Sequence, residues 1–273
     1  MRKAGWAALL FGAATVGLGF LALPIVALFT QVPPGELIRL LGNSVVRDAL
    51  VVSIKTTLIA QLLILLFGTP LAYLLASRRF PGRAVLVTLV ELPLVLPPAV
   101  AGIGLLAALG RFGLLGSTLD AFGISVGFTQ TAVVLAIAFV AGPFYARTAI
   151  AAFEGVDPNL IAASRTLGAG PARTFFRVAL PLAGSGLAAG EALAFARGLG
   201  EFGATIMFAG SLQKVTQTLP LAIYAQFEAD FDVAVAMGAL LVVVSGALLL
   251  SLKLVFGWQP SQRTSSSVFA RTS

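Results

Sequence analysis

Polar residues in this chain are gathered into short islands, and the stretches between them are apolar over lengths that a globular core does not use. Six such stretches stand out, at 6–29, 49–76, 84–109, 131–152, 180–208 and 233–256. Crossing the hydrocarbon of a bilayer takes roughly 20 apolar residues rising about 1.5 Å each, and all six reach that length. Ten-residue segments with period-2 alternation, which would mark a membrane β-barrel, are missing. The pattern predicts an all-α membrane protein with six transmembrane helices in a single domain, 1–256. A tail, 257–273, follows; it is rich in Ser and Thr, contains Pro260 and reads as flexible. Arg2 and Lys3 before the first stretch give it the look of a signal peptide. The stretch is too long for that, and it ends in Gln31-Val32-Pro33-Pro34 rather than at a small-residue cleavage site, so it reads as a retained helix.

The islands differ in kind. Segment 32–48 has the makings of a short interfacial helix at 35–41, segment 110–130 is glycine-rich, and segment 210–232 carries Glu228, Asp230 and Asp232. Basic residues orient the chain. Arg2, Lys3, Arg78, Arg79, Arg83, Arg147, Arg165, Arg173, Arg177, Lys253, Arg263 and Arg271 fall on the side of the termini, against Arg39, Arg47, Arg111 and Lys214 on the other. By the positive-inside rule both termini are expected in the cytoplasm, with the chain a multi-pass protein of the cytoplasmic (inner) membrane. Lys55 and Arg197 lie within the stretches themselves; Lys55, near an end, reads as snorkelling.

Composition narrows the chemistry. Of 273 residues 58% are hydrophobic and only 11% charged, and the net charge of +7 reads as the orientation bias rather than as a nucleic-acid surface. Cysteine and histidine are both absent, which removes thiolate chemistry and the usual general base, zinc ligand and proton relay. None of Lys3, Lys55, Lys214 or Lys253 sits in a phosphate-binding G-x-x-x-x-G-K-[ST] loop, so any ATP chemistry belongs to a partner. Neither a cofactor nor a metal is expected on this chain, and it does not read as an enzyme.

Segment 154–181 is the most informative island. It is long and amphipathic. Asp157 is placed to cap a helix whose first position is Pro158, and that helix would run through Leu160, Ile161, Ala163 and Leu167 and stop at Gly168. A second short helix with Arg173 and Arg177 would end before Pro181. The two would form a compact knob, with the small residues Ala162, Ala163 and Ser164 beside Arg165 allowing another protein to approach closely. A helix lying on the membrane surface, arginines on lipid phosphate, is the competing reading.

The spacing within this segment resembles the loop of ABC-importer permeases, of the form E-A-A, three residues, G, nine residues, I-x-L-P. Here it reads Ala162-Ala163-Ser164, three residues, Gly168, nine residues, then Val178-Ala179-Leu180-Pro181. Ala162 stands where the family has Glu, so an ion pair made there by the family is in doubt. The resemblance extends over nearly the whole chain. Arg78-Arg79-Phe80-Pro81-Gly82-Arg83, Leu92-Pro93-Leu94-Val95-Leu96-Pro97-Pro98 and Arg197-Gly198-Leu199-Gly200-Glu201-Phe202-Gly203-Ala204-Thr205 resemble the permeases of the molybdate and sulfate oxyanion group. Thr216-Gln217-Thr218-Leu219-Pro220-Leu221-Ala222-Ile223-Tyr224 leans toward molybdate. This resemblance implies the type I importer fold, a homodimeric pore, two cytoplasmic ABC ATPase subunits gripping the knobs, and an external oxyanion-binding protein. The other partner is membrane lipid.

A dianion crossing hydrocarbon needs dipoles or cations in place of its water, but a tight site would trap it. Small and hydroxyl residues are therefore expected along the path. Pro93, Pro97 and Pro98 interrupt the third stretch, and Gly184, Gly186, Gly190, Gly198, Gly200 and Gly203 run through the fifth, which makes these two the gate candidates. Close packing through small residues is the competing reading. Thr205, Thr216 and Gln217 are further pathway candidates, the last two with ordinary loop polarity as the alternative. Arg197 and Glu201, four apart, are expected to form a structural ion pair; a gating role for Glu201 is the lesser reading. Glu91 reads as isolated, and Glu191 as out of register with Arg197. The rivals are the same machine carrying sulfate, thiosulfate or tungstate, a proton-coupled carrier relaying through Glu91, Glu191 and Glu201, and a membrane enzyme, which the missing histidine and cysteine disfavour.

Overall fold

The computed structural model describes residues 2–40 and 42–256. Among these residues the chain is helical throughout, without strands. Its elements are α1 (Arg2–Gln31), α2 (Pro34–Leu40), α3 (Ser44–Ser77), α4 (Arg83–Val95), α5 (Pro98–Leu109), α6 (Gly116–Ala121), α7 (Gln130–Glu154), α8 (Pro158–Thr166), α9 (Pro171–Thr174), α10 (Leu180–Leu199), α11 (Gly203–Ala209), α12 (Leu219–Ala229) and α13 (Phe231–Phe256). A π-turn, Phe175–Ala179, joins α9 to α10. The interfacial helix expected at 35–41 is α2, and residue 41 and the tail 257–273 lie outside the described residues.

Among the described residues five helices are long and apolar enough to span a membrane, and α4 with α5 makes a sixth if the bent pair is one span. That bend corrects the third expected span. It is not one straight helix; its halves meet at 116°. The break falls at Leu96–Pro97 and not at Pro93, which lies inside α4. A residue before proline is pushed out of the α region, and two prolines in succession do this twice. Leu96 (ψ 130°) and Pro97 (ψ 132°) are both extended, and Pro98 restarts the helix at a position where no N–H donor is needed.

The fifth expected span is likewise two helices. α10 ends at Leu199, Gly200–Phe202 leave helical geometry, and α11 begins at Gly203. In segment 210–232, expected as a loop, Pro220 opens α12, which packs on α3 and α13. α1 lies along α13.

The core of the bundle is α7, flanked by α3 and α10. In lipid there is no hydrophobic drive between helices, so close approach through small residues does the work. Gly68 of α3 faces the ring of the fully buried Tyr145, whose hydroxyl bonds Thr69 Oγ1 at 2.6 Å. Gly186, Gly190 and Gly198 line α10 where it meets α7; a Cβ at Gly186 would stand 2.5 Å from that of Ala152. The glycine pattern of the fifth span is in this part a packing seam.

Candidate functional site

The knob is built as a closed unit. Asp157 accepts from the Asn159 N–H at 2.8 Å, with Pro158 at the first position of α8. At the other end the Gly168 N–H donates to Arg165 O (2.9 Å) and the Ala169 N–H to Ser164 O (3.1 Å), which is the Schellman arrangement. Gly168 takes the left-handed φ of +83° that this cap requires. Ser164 Oγ and Thr174 Oγ1 share a hydrogen bond of 2.8 Å that ties α8 to α9, and Thr174 is fully buried. Ala162, Ala163, Arg165, Gly168 and Arg173 are exposed, and Leu167 is 88% exposed. An apolar side chain so free of its own fold marks a face suited to a partner.

The second helix does not end before Pro181. It continues through the π-turn into α10, so that Pro171–Leu199 is one 29-residue helical run. Proline at 181 has no N–H to give, and in the wider turn the Leu180 N–H donates to Phe175 O. The π-turn thereby absorbs the missing donor without a break. Leu180 is half-buried and Pro181 exposed. Beneath the knob, Tyr73 of α3, Phe153 of α7 and Phe175 cluster edge-to-face and tilted, with ring centroids 5.3 and 4.8 Å from Tyr73. A cleft of about 330 Å³ between Tyr73, Ser77, Glu154, Pro158, Ala162 and Arg165 opens beside it.

The two broken spans meet. A Cβ at Gly203 would lie 2.8 Å from Pro98 Cβ, and one at Gly102 would lie 2.6 Å from Ala204 O. Pro98 and Gly203 are thus brought together where α5 crosses α11. Pro97 and Gly200 are exposed at the two breaks. Gly102→Ala is expected to force α5 off α11 and destabilise the protein by about 1–3 kcal/mol, read from thermal unfolding in micelles. An unchanged midpoint would mean that this crossing is loose.

Glu201 is 1% exposed. Its Oε2 lies 2.6 Å from Arg197 Nη2, and its Oε1 accepts from the Ala204 N–H at 2.7 Å. One carboxylate therefore both pairs with the end of α10 and caps the start of α11, the second role being invisible in the i, i+4 spacing. The hydroxyl pathway candidates are engaged locally. Thr205 is fully buried and donates to Phe202 O at 2.8 Å, and Thr216 is fully buried and accepts from the Leu212 N–H at 2.9 Å. Their hydroxyls serve the backbone of their own turns. Gln217 donates to Ser211 Oγ at 3.2 Å.

Glu91 is not isolated. It lies 3.7 Å from Arg147 of α7. Lys55 reaches Gln130 Oε1 at 2.9 Å rather than only snorkelling. Glu191 is half-buried on α10, and its Oε2 has no hydrogen-bond partner among the described residues. Several other polar residues stand out. Ser53 Oγ accepts from the Leu219 N–H at 2.7 Å, and Arg83 and Glu154 form an ion pair between α4 and α7; Gln61, 4% exposed, lies against Gly198 with neither amide atom hydrogen-bonded among the described residues. A polar residue inside an apolar run was the available signal for Ser53 and Gln61.

A model of the binding-protein-dependent transport system inner membrane component family matches residues 68–257, which include the knob and both breaks. The chain belongs to this family. Like other members it is a membrane-spanning permease component of a transport system. Among its relatives are the molybdenum transport system permease proteins ModB of Mycobacterium tuberculosis and Escherichia coli. The former is 47% identical over 246 residues, covering 87% of this chain and 90% of the relative. The latter is 43% identical over 212 residues, covering 77% and 92%. A probable sulfate permease of Nephroselmis olivacea is 34% identical over 236 residues, covering 85% and 83%. Among solved structures, a bacterial ABC transporter that imports alginate superposes with a TM-score of 0.72 at 19% identity, covering 94% of this chain and 96% of the other. The MetNI methionine transporter gives 0.58 at 20% identity, covering 81% and 94%. These likenesses establish the type I importer fold for this member of the family.

Proposed function

We propose that this permease passes molybdate inward across the membrane, driven by ATP hydrolysed on a separate subunit. The observation that carries the reading is identity of 43–47% to molybdenum permeases over most of both chains, against 34% to the sulfate permease. In this reading two copies of the chain form the pore, two cytoplasmic ABC ATPase subunits hold the knobs Asp157–Pro181, and an external binding protein delivers the oxyanion. The face of α8 with Ala162, Ala163, Arg165, Leu167 and Gly168 is the docking surface, and Arg173 flanks it. Its side of the bundle is the cytoplasmic side, in keeping with the arginines gathered there. The α5–α11 crossing at Pro98 and Gly203, with the breaks at Pro97 and Gly200, is the gate. The start of α5 carries no side-chain cap, so its free N–H groups and positive dipole end suit a passing dianion without a fixed cation, while the start of α11 is already capped by the Glu201 carboxylate.

The test is uptake of labelled molybdate into proteoliposomes holding the permease, its ATPase and the binding protein. Uptake is expected to need ATP and to resist a large excess of sulfate. Uptake driven by a proton gradient without the ATPase would overturn the reading, and equal competition by sulfate would overturn the cargo.

A further inference from the structure

The knob reaches one side of the gate directly, because Pro171–Leu199 is one helical run that ends at the Gly200 break; the other side, α5, hangs on α4. None of the residues of α4, all of them described, is buried. Yet α4 is the arm that leads, through the 116° bend, into α5 and its crossing with α11. Val87 and Val90 lean on the core, but no side chain of α4 is locked into it.

Polar ties take that place. Arg83, at the first position of α4, gives two bonds from one guanidinium. Its Nε donates to the carbonyl of Leu75, in the last turns of α3, at 2.6 Å, and its Nη2 donates to Glu154 Oε1. Glu154 is the last residue of α7, and Asp157, the cap of α8, follows three positions later. Glu154 also lines the cleft beside Pro158, Ala162 and Arg165. Further along, Arg147 of α7 faces Glu91 of α4 at 3.7 Å. A planar guanidinium with several fixed donors can hold two acceptors at a set angle, which a lysine cannot.

We propose that Arg83 is a positioning residue for transport: it pins α4 to the root of the knob, so that a displacement of α8 swings the α4–α5 arm and opens or closes the crossing with α11. This rests on the import reading above. The link stays closed through the cycle, and knob and arm move as one body. α4 rests on α7 through Val87, Val90 and the Glu91–Arg147 contact, and Arg83 adds the tie at its end nearest the knob.

The test uses the whole complex in proteoliposomes and reads molybdate imported per ATP hydrolysed. Arg83→Gln and Glu154→Gln are each expected to lower that ratio fivefold or more. The chain has no cysteine of its own, so Arg83→Cys with Glu154→Cys can be joined by a short bismaleimide. The joined pair is expected to regain the ratio that the open pair loses. A wild-type ratio in both Gln variants, or a joined pair as uncoupled as the open one, overturns the pin. A second readout needs no cargo. Spin labels on Thr166→Cys and Val95→Cys should keep one narrow distance with and without ATP, and Glu154→Gln should broaden it; an ATP-dependent distance in the otherwise unaltered chain overturns the rigid link. If the wild type shows no ATP-driven uptake, the import reading fails by itself, while the spin-label distances still decide whether knob and arm are joined.

Discussion

Arg197→Leu destabilises the bundle by about 3–5 kcal/mol, the range for removing one partner of a buried ion pair. Glu201 is 1% exposed, and after the change its carboxylate keeps only the Ala204 N–H. An uncompensated charge at that depth is costly to keep, and drawing it out toward better solvation undoes the geometry that starts α11. Glu201→Gln is expected to cost much less. Its amide oxygen still accepts from Ala204, and the charge left unpaired, Arg197, is the less buried of the two, with 28% of its side chain exposed. Combining Arg197→Leu with Glu201→Gln removes the stranded charge and should recover most of the loss. Circular dichroism through thermal unfolding in micelles measures all three. Equal midpoints for Arg197→Leu and Glu201→Gln would show that the pair does not hold the break between α10 and α11.

Gly168→Asp is expected to lower ATP-driven uptake at least tenfold and to abolish association with the ATPase subunits, with little change in the unfolding midpoint. No atom lies within 4 Å of where a Cβ at 168 would stand, so the variant does not clash. The φ of +83° costs an ordinary L-residue about 1–2 kcal/mol, and Asp and Asn tolerate this region better than most. The knob therefore survives, and the new carboxylate stands on the exposed face of α8. Gly168→Asn carries a similar shape and backbone preference without charge, and should keep clearly more uptake than Asp. Normal ATPase binding by Gly168→Asp would move the docking surface elsewhere.

Much of this architecture was legible because a membrane simplifies the code. Length and apolarity alone located α1, α3, α7 and α13, and Asp157-Pro158 with Gly168 located α8 to within a residue or two. The sequence marks the breaks at Leu96–Pro97 and Gly200–Phe202 as weak points inside spans, not as sharp ends. The apolar pattern runs on unbroken across both, and only backbone geometry separates a kinked helix from two helices. The bonding of the hydroxyl candidates was hidden for a related reason: Thr205 and Thr216 look available by type, but turns in a low-dielectric interior take such hydroxyls for their own carbonyls and amides. Arg83 and Glu154, 71 positions apart, carried no signal that one sequence can show.

The π-turn at Phe175–Ala179 has a consequence for insertions and deletions. A π-turn holds one residue more than the α-helical turn it replaces, and each residue of an α-helix turns the chain by about 100°. Removing one residue from 175–179 would let that turn close as an ordinary α-turn and would leave everything before it at nearly the same angle about the axis of α10. The same deletion among residues 182–199 has no such slack and would swing the knob round by about 100°, its fold and surface kept while it faces a different compass bearing. The π-turn is thus a place where the helix Pro171–Leu199 can lose a residue without re-aiming the knob.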